Sequence, residues 1–216
     1  MLTLCNSALP NDATEIFDLT VKDEEILGSF GVGQGYTVQY YESQADRDNN
    51  IPIVDPTQYE NTANAQTLFV MVTSPEGCKS YTTLTIKVLP LPRPNLNPEP
   101  LVLCDDNNSP DAVEVFDLTD AEDDIRNNDN TTLISYYESQ EDAEAGINPI
   151  GTPQAYQSAS GSVWVRVAAN TGNPNDTVCY QIVELELIVN PLPALGQNGI
   201  IAPNAYCEEN TDGFHT

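Results

Sequence analysis

The chain repeats itself at an interval close to 100 residues, and this repeat limits its fold more than any other feature. "IFDLT" at Ile16–Thr20 returns 99 positions later as "VFDLT" at Val115–Thr119. "YYESQ" at Tyr40–Gln44 returns 96 positions later at Tyr136–Gln140. Further matches keep the same order with nearly the same offset. A tandem duplication predicts two similar domains in place of one large domain.

The repeat also sets the predicted domain boundaries. We predict a first β-sandwich repeat over residues 1–92, a proline-rich linker over 93–102 and a second repeat over 103–193. A second linker would follow over 194–205. Residues 206–216 would begin a third repeat, since "YCEENTDGF" is similar to the "LCDDNNSPD" that opens the second. The chain is therefore expected to be a piece of a longer array, with stiff proline-rich spacers between its domains.

Each repeat reads as a series of short strands separated by turns. In "TLTIKV" the alternation places Leu84, Ile86 and Val88 on one face, as in a half-buried strand. "VELELIV" alternates in the same way in the second repeat. Several such strands within each repeat predict an all-β protein with tandem immunoglobulin-like antiparallel β-sandwich domains and short helical turns.

The repeated "YYESQ" motif is interpreted as the end of a strand that runs into a helix cap. Ser43 and Ser139 each have an acidic residue three positions later, which is typical of a capping box. Tyr40 and Tyr136 share the face of the apolar residues before them, so we expect both in the core. The same capping pattern occurs at two further positions, Thr20 and Thr119.

The charge of the chain excludes several classes of function. It has 33 acidic against 7 basic residues and a net charge of -26. Phosphate backbones and anionic lipid surfaces repel such a protein, so we expect no nucleic-acid partner. No apolar run approaches the roughly 18 residues that cross a bilayer, so no direct membrane insertion is expected either.

The cysteines occupy matched places in the two repeats. Cys5 and Cys104 open the repeats, and Cys78 and Cys179 lie near their ends. Because only pairing within a repeat reproduces itself along an array, we predict the intradomain disulfides Cys5–Cys78 and Cys104–Cys179. Four buried free thiols are the alternative. Disulfides would place the protein outside the cell or on its surface.

An acidic loop after the opening cysteine of the second repeat is a candidate calcium site. Its predicted ligands are Asp105, Asp106, Asn108 and Asp111, because Ca²⁺ prefers closely spaced carboxylate and amide oxygens. The alternative is a solvated acidic turn. The first repeat reads "CNSALPNDA" at this point and lacks the leading acids, so a site there would be weaker.

Catalysis has little support in the sequence, and we predict that the chain is not an enzyme. Its one histidine is His215, which leaves no partner set for a histidine-based triad or metal centre. No pair of carboxylates stands out among the many acids. Trp164 and the matched Phe69 could contact a sugar if exposed, but packing in the second layer or under a helical turn is the favoured interpretation.

Several phrases resemble a known family, namely "LCDDNN", "SYYESQEDAEAGINPI", "VWVRV" and "LELIVNPLP". They are similar to the tandem repeats of very large surface proteins of gliding, flavobacterium-like bacteria. These proteins are exported by type IX secretion and include the SprB-type gliding-motility adhesins. The resemblance implies a cell-surface adhesin or its stalk, and it implies no enzyme. It also implies O-glycosylation at Thr177, within the "DTV" that begins at Asp176.

The resulting prediction is a structural or adhesive repeat segment of a long extracellular bacterial adhesin or filament stalk. Intradomain disulfides and Ca²⁺ would stabilise it. Its expected partners are further copies of the same repeat, and surface polysaccharide or other cell-surface proteins. The alternative is a polysaccharide- or protein-binding module appended to a secreted protein, with Trp164 at its contact surface.

Overall fold

The structure is a computed structural model, and it describes residues 1–7, 12–31, 33–106 and 111–192. Its contacts divide the chain into two compact units. Unit 1 consists of Met1–Pro92 together with Ala168–Tyr180. Unit 2 consists of Arg93–Val167 and the residues from Gln181 onward. A segment that lies in the second sequence repeat therefore belongs to the first unit.

Unit 1 is built on a four-stranded sheet with the strand order β1-β6-β5-β3. Strands β2 and β4 form a two-stranded antiparallel sheet. The strands are β1 (Leu2–Cys5), β2 (Ile16–Phe17), β3 (Thr37–Tyr41), β4 (Tyr59–Glu60), β5 (Gln66–Thr73) and β6 (Lys79–Leu89). Two short helices interrupt them, α1 (Asp23–Leu27) and α2 (Gln44–Asp48), with 3₁₀ turns at Leu19–Lys22 and Gly28–Phe30.

Unit 2 repeats this plan, with the strand order β7-β12-β11-β9 in the large sheet and a small β8-β10 sheet. The strands are β7 (Leu101–Cys104), β8 (Val113–Phe116), β9 (Leu133–Tyr137), β10 (Tyr156–Ala159), β11 (Gly161–Ala168) and β12 (Tyr180–Asn190). The helices are α3 (Glu122–Arg126) and α4 (Gln140–Ala145), with 3₁₀ turns at Leu118–Ala121 and Pro153–Ala155. The predicted all-β sandwich fold with short helical turns is confirmed.

One strand pairing in each unit differs from the antiparallel pattern expected from sequence. β1 runs parallel to β6, with Leu2 opposite Ile86 and Cys5 opposite Leu89. β7 runs parallel to β12 in the corresponding way. In the large sheet of unit 1, β3 pairs with β5 and β5 with β6 in antiparallel fashion. This parallel edge decides where the opening cysteine of each repeat lies.

The core of each unit lies between its large and small sheets. In unit 1, Phe17 and Tyr59 from the small sheet pack with buried residues of the large sheet. The predicted inward residues Leu84, Ile86 and Val88 are all buried there. In unit 2 the corresponding core includes the inward residues of β12, which are Val183, Leu185, Leu187 and Val189. The alternation read from the sequence therefore identified the correct face of the last strand in both units.

The first tyrosine of each "YYESQ" motif is a core residue, as predicted. Tyr40 is 2% exposed, and its hydroxyl lies 3.0 Å from the carbonyl oxygen of Leu19 and within hydrogen-bond distance of Asp23. Tyr136 makes the same contacts with the carbonyl of Leu118 (3.1 Å) and with Glu122 (3.2 Å). Each tyrosine therefore ties the large sheet to the first 3₁₀ turn and helix of its unit.

The predicted serine caps are confirmed, whereas the threonine caps are wrong. Ser43 and Ser139 accept hydrogen bonds at 3.1 Å from the backbone N–H groups of Asp46 and Asp142. At the other two sites the cap is an aspartate two residues before. The carboxylate of Asp18 accepts from the N–H of Thr20, and Asp117 accepts from Thr119, each at 3.0 Å. The aspartate takes the N-cap position because its carboxylate also accepts a hydrogen bond from the hydroxyl group of that threonine.

Part of the segment predicted as a proline-rich linker is fastened to α3 of unit 2. The N–H of Asn95 donates to the carbonyl of Ile125 at 3.0 Å. The side-chain amide of Asn95 and the N–H of Glu99 donate to the two carboxylate oxygens of Asp124, at 2.8 and 2.9 Å. The linker segment that contains Asn95 and Glu99 is thereby held against α3 before β7 begins.

A short helix covers the outer face of the large sheet in each unit, and an arginine lies between the helix and the sheet in both. In unit 1 the arginine belongs to the helix. Arg47 lies over the rings of Phe69 and Tyr81, at 5.7 and 4.6 Å. In unit 2 it comes from the sheet, where Arg166 donates to the backbone carbonyls of Ala143 and Glu144 at the end of α4.

The two arginines occupy exchanged places in the repeat. Arg47 is matched by Ala143 in the second repeat, and Arg166 is matched by Met71 in the first. Ala143 and Met71 are both buried. Each unit thus places one cation and one apolar side chain at this contact, on opposite elements.

Candidate functional site

A disulfide bond joins the two sequence repeats. Cys5 at the end of β1 is bonded to Cys179, with a Cα–Cα distance of 5.5 Å and a sequence separation of 174 residues. Cys104 is also disulfide-bonded, and Cys78 is a free, exposed thiol. The predicted intradomain bonds Cys5–Cys78 and Cys104–Cys179 are therefore wrong.

The parallel edge strand explains why the intradomain bond cannot form. Cys5 lies opposite Leu89 at the end of β6, whereas Cys78 immediately precedes the start of the same strand at Lys79. The 11 residues of β6 separate the two cysteines by about 35 Å. Disulfide bonding requires Cα atoms about 4.4–6.8 Å apart. β12 likewise begins just after Cys179 and pairs with Cys104 at its far end, opposite Asn190.

Unit 1 is completed by the segment Ala168–Tyr180, which we call the cysteine loop. The loop connects β11 to β12 and brings Cys179 to Cys5. The carbonyl of Cys179 accepts a hydrogen bond from the N–H of Ala169 at 2.8 Å, which closes the base of the loop. Cys179 itself is 1% exposed. The disulfide is therefore shielded from solvent on this side.

Thr177 of the cysteine loop pairs with Thr3 on β1. The N–H of Thr177 donates to Thr3 Oγ1 at 3.0 Å, and Thr177 Oγ1 donates to the carbonyl of Thr3 at 3.1 Å. The two hydroxyl oxygens are 2.7 Å apart. Thr177 is exposed overall, but its hydroxyl, the group that O-glycosylation would modify, is engaged with β1. Modification at Thr177 stays a prediction.

Asp176 anchors the cysteine loop through its charge. Its side chain is 1% exposed, and Oδ2 lies 3.2 Å from the ammonium nitrogen of Lys87 on β6. The other oxygen, Oδ1, accepts from the side-chain amide of Asn173 at 2.8 Å. Both carboxylate oxygens therefore have partners, as a buried charge requires. The sequence offered no direct signal for this contact, because the nearby "DTV" suggested an exposed loop.

The predicted calcium ligands are placed only in part, because Asn108 lies outside the described residues. Asp105 is 6% exposed, and its Oδ2 accepts from the N–H of Ala112 at 3.1 Å. Its Oδ1 is buried without a hydrogen-bond partner. Asp111 accepts from the N–H of Val113, and Asp106 donates its backbone N–H to Glu114. Within the described ranges, no three His, Cys, Asp or Glu side chains converge as a metal site would need.

The first repeat has the same loop with one informative difference. Asn6 replaces Asp105, and its side-chain amide donates to Asp12 at 2.9 Å. This hydrogen bond, more than any other contact, lowers the pKa of Asp12. The side chain of Asp105 has no N–H group with which to do the same for Asp111, the residue that matches Asp12. The second repeat therefore places two carboxylates where the first has an amide and a carboxylate.

Trp164 is half-buried on the outer face of the unit 2 sheet. It lies two residues before Arg166 on the same strand and so shares its face, which α4 covers. Phe69, its match in unit 1, is half-buried beneath Arg47. Both matched side chains are therefore partly buried on the sheet face that carries a short helix.

The family comparison agrees with the internal repeat. The model of the Flavobacterium inter-domain disulphide bond domain matches residues 1–92 and again residues 100–193. The chain belongs to this family. Both sequence repeats are thus copies of the inter-domain disulphide bond domain, and Cys5 and Cys179 lie in different copies.

Other comparisons add little to the family assignment. No curated protein matches the chain. Extracellular domains 3–5 of Drosophila OTK are 11% identical, with a TM-score of 0.34, over 87% of this chain and 58% of that one. EC1-2 of human mucin-like protocadherin is 11% identical, with a TM-score of 0.24, over 88% of this chain and 95% of that one. In the part of the chain that the structure describes, no helix is long and apolar enough to cross a membrane.

Proposed function

We propose that the chain is a structural repeat segment of a long extracellular adhesin on a bacterial surface, of the SprB-type that its repeats resemble. The observation that carries the proposal is the disulfide between two copies of one domain. Such bonds form and persist in oxidising places outside the cytoplasm. The net charge of -26 keeps neighbouring copies from adhering to one another. This role needs no catalytic group.

The proposed role of the disulfide is mechanical. When force acts on the chain outside Cys5 and Cys179, the bond carries the load and shields the residues between them. Cys78 occupies in the first repeat the place of Cys179 in the second, and its exposed thiol suits a similar bond to a further copy of the repeat. Disulfide mapping of a longer native segment tests this suggestion. We expect Cys78 to be bonded to a further copy, and a free Cys78 in that segment would contradict it.

Single-molecule stretching tests the mechanical role. We expect the oxidised chain to yield almost none of the 174-residue interval between Cys5 and Cys179. Reduction should add about 600 Å of extensible chain, since each residue contributes roughly 3.5 Å when extended. Without any reductant, chain with Cys5→Ser and Cys179→Ser should extend more than the oxidised original chain but less than the reduced protein, because the bond at Cys104 remains in this variant. Equal extension of the oxidised and reduced chains would contradict the proposed role.

We also propose that the opening loop of the second repeat binds Ca²⁺ between Asp105 and Asp111. The buried, unpartnered Oδ1 of Asp105 supports this, because a cation would supply the missing partner and separate the two carboxylates. In the first repeat Asn6 Oδ1 is likewise buried without a hydrogen-bond partner, but Asn6 carries no charge, and its amide nitrogen donates to Asp12 without a cation.

Thermal melting with calcium and with EDTA checks the calcium proposal. We expect Ca²⁺ at 100 times its Kd to stabilise unit 2 by about 2.7 kcal/mol, while the melting of unit 1 stays unchanged. Asp105→Asn should abolish the calcium response by making the second loop resemble the first. Identical melting curves in excess EDTA and in millimolar calcium would remove calcium from the proposal.

Trp164 distinguishes the alternative function, a module that binds polysaccharide or protein itself. That alternative requires the exposed edge of Trp164 to contact the ligand. Attachment of cells that display the full-length protein with Trp164→Ala is the relevant measurement, with Phe69→Ala as the matched control in the other repeat. Normal attachment of both variants favours the structural role, and loss confined to Trp164→Ala favours the binding module.

A further inference from the structure

The cysteine loop docks on a polar pair at the edge of unit 1. Thr3 on β1 and Lys87 on β6 are direct register partners, so their side chains lie next to each other across the parallel edge. Thr3 contacts Thr177, and Lys87 contacts Asp176. The two contacts together engage both residues of the dipeptide Asp-Thr that stands immediately before Val178 and Cys179.

The matched pair in the second repeat has a different chemical character. Val102 on β7 and Ile188 on β12 are register partners in the same way, and they occupy the places of Thr3 and Lys87. Val102 is 51% exposed. An apolar pair offers neither a cation for Asp176 nor a hydroxyl for Thr177. A loop with the Asp-Thr dipeptide would leave its desolvated carboxylate without a cation at that edge.

The segment before Cys78 also lacks the features that Thr3 and Lys87 recognise. Asp176 and Thr177 stand three and two positions before Cys179, whereas Pro75 and Glu76 stand at those positions before Cys78. Pro75 carries no charge and has no N–H to donate. The side chain of Ser74 is already used within that turn, where its hydroxyl oxygen accepts from the N–H of Cys78 at 3.2 Å.

We propose that the Thr3–Lys87 pair is a recognition site for an Asp-Thr-x-Cys loop, and that it selects Cys179 as the disulfide partner of Cys5. This inference deepens the proposed function, since it concerns how the load-bearing bond is chosen. Docking holds the two thiols within bonding distance before oxidation, which raises their effective concentration above that of any competing thiol. The apolar pair Val102–Ile188 gives the second repeat a different specificity, so the two edges are not interchangeable.

The bond forms by two successive exchanges with a small-molecule disulfide. The Cys179 thiolate attacks this oxidant, forms a mixed disulfide and releases one small thiolate. The Cys5 thiolate then attacks the Cys179 sulfur, forms the Sγ–Sγ bond and expels the second small thiolate. Two cysteine thiols are oxidised and one small disulfide is reduced to two thiols. Docking accelerates the second exchange only, because the first involves no contact with Cys5.

Oxidative refolding of the full chain in glutathione buffers tests the proposal, with peptide mapping of the disulfides as the readout. The test variant carries Thr3→Val and Lys87→Ile, which copies the pair of the second repeat. We expect the ratio of the Cys5–Cys179 bond to the Cys179–glutathione mixed disulfide to fall at least fivefold. The matched control carries Val102→Thr and Ile188→Lys, and its Cys5–Cys179 ratio should equal that of the original chain.

A charge exchange separates recognition from folding. Lys87→Asp alone and Asp176→Lys alone should each lower the ratio, and the double variant should recover most of it. Asp176→Lys lies in the loop and leaves β1 and β6 unaltered, so it decides the matter if the edge variants fail to fold. An unchanged ratio in Asp176→Lys, or no recovery in the double variant, would overturn the proposal. The mechanical role would survive that result, because it depends on the bond and not on how its partner is chosen.

Discussion

Replacing both Cys5 and Cys179 by serine is expected to lower the free energy of unfolding by about 5 kcal/mol. The chain-entropy model gives this value for a loop closed across 174 residues, because the bond restricts the unfolded chain much more than the folded one. Chemical denaturation of the variant and of the original chain, both without reductant, measures the difference. The midpoint of unit 1 should move most, since the bond lies within it.

Cys78→Ser is the matched control for this experiment. Cys78 is exposed and unpaired, so its replacement should change the free energy of unfolding by less than about 0.5 kcal/mol. A large loss in Cys78→Ser, together with a small loss in the double variant, would mean that the intradomain pairing forms in solution after all. Reductant should destabilise the original chain and leave the serine double variant less affected.

The second large expected effect is alkaline unfolding that begins near pH 10. Burial, followed by the hydrogen bond to Asp23, raises the pKa of Tyr40 far above its ordinary value. Burial, followed by the charge of Glu122, does the same to the pKa of Tyr136. A group whose pKa is raised by folding contributes its full stability below the unfolded pKa, about 10 for tyrosine. That contribution is lost progressively as the pH rises above this value.

The expected slope is a loss of about 1.4 kcal/mol per pH unit for each of these tyrosines. Circular dichroism against pH, combined with the absorbance of tyrosinate, measures it. Phenolate from Tyr40 and Tyr136 should appear together with loss of structure and not before it. Tyr40→Phe should flatten the alkaline slope of unit 1 while lowering its neutral stability by about 1 kcal/mol through the lost hydrogen bond. Ionisation of both tyrosines without unfolding would contradict the prediction.

Much of the fold could be predicted because the same pattern of strands and turns occurs in both repeats. The strand alternation in β6 and β12 and the core position of Tyr40 are local consequences of side-chain period and apolar character. The Ser43 and Ser139 caps are equally local. Where two candidates competed, as Asp18 and Thr20 did for one turn, the spacing alone favoured the wrong residue. The difference lay in a side chain that accepts two hydrogen bonds at once.

The cysteine pairing could not be read from spacing, because it depends on where one edge strand pairs. β1 pairs with the last four residues of β6, Ile86–Leu89, so Cys5 lies at the opposite end of that strand from Cys78. The position of this pairing is set by packing and connectivity, for which the four residues of β1 carry no pattern. The segment before Cys179 is longer than the segment before Cys78, and this is the largest difference in length between the two repeats. It was the available sequence signal that the two cysteines differ.

The exchanged arginines have a consequence for how such an array changes over generations. Tandem copies recombine readily, and a crossover inside a repeat would join the helix of one copy to the later strand of another. A hybrid with Arg47 and Arg166 would place two cations under one helix, and the reciprocal hybrid, with Ala143 and Met71, would place none there. The first product brings two like charges together, and the second lacks the arginine contact that each parent makes. Copies of this domain should therefore be gained and lost whole, with crossovers surviving between domains and not within them.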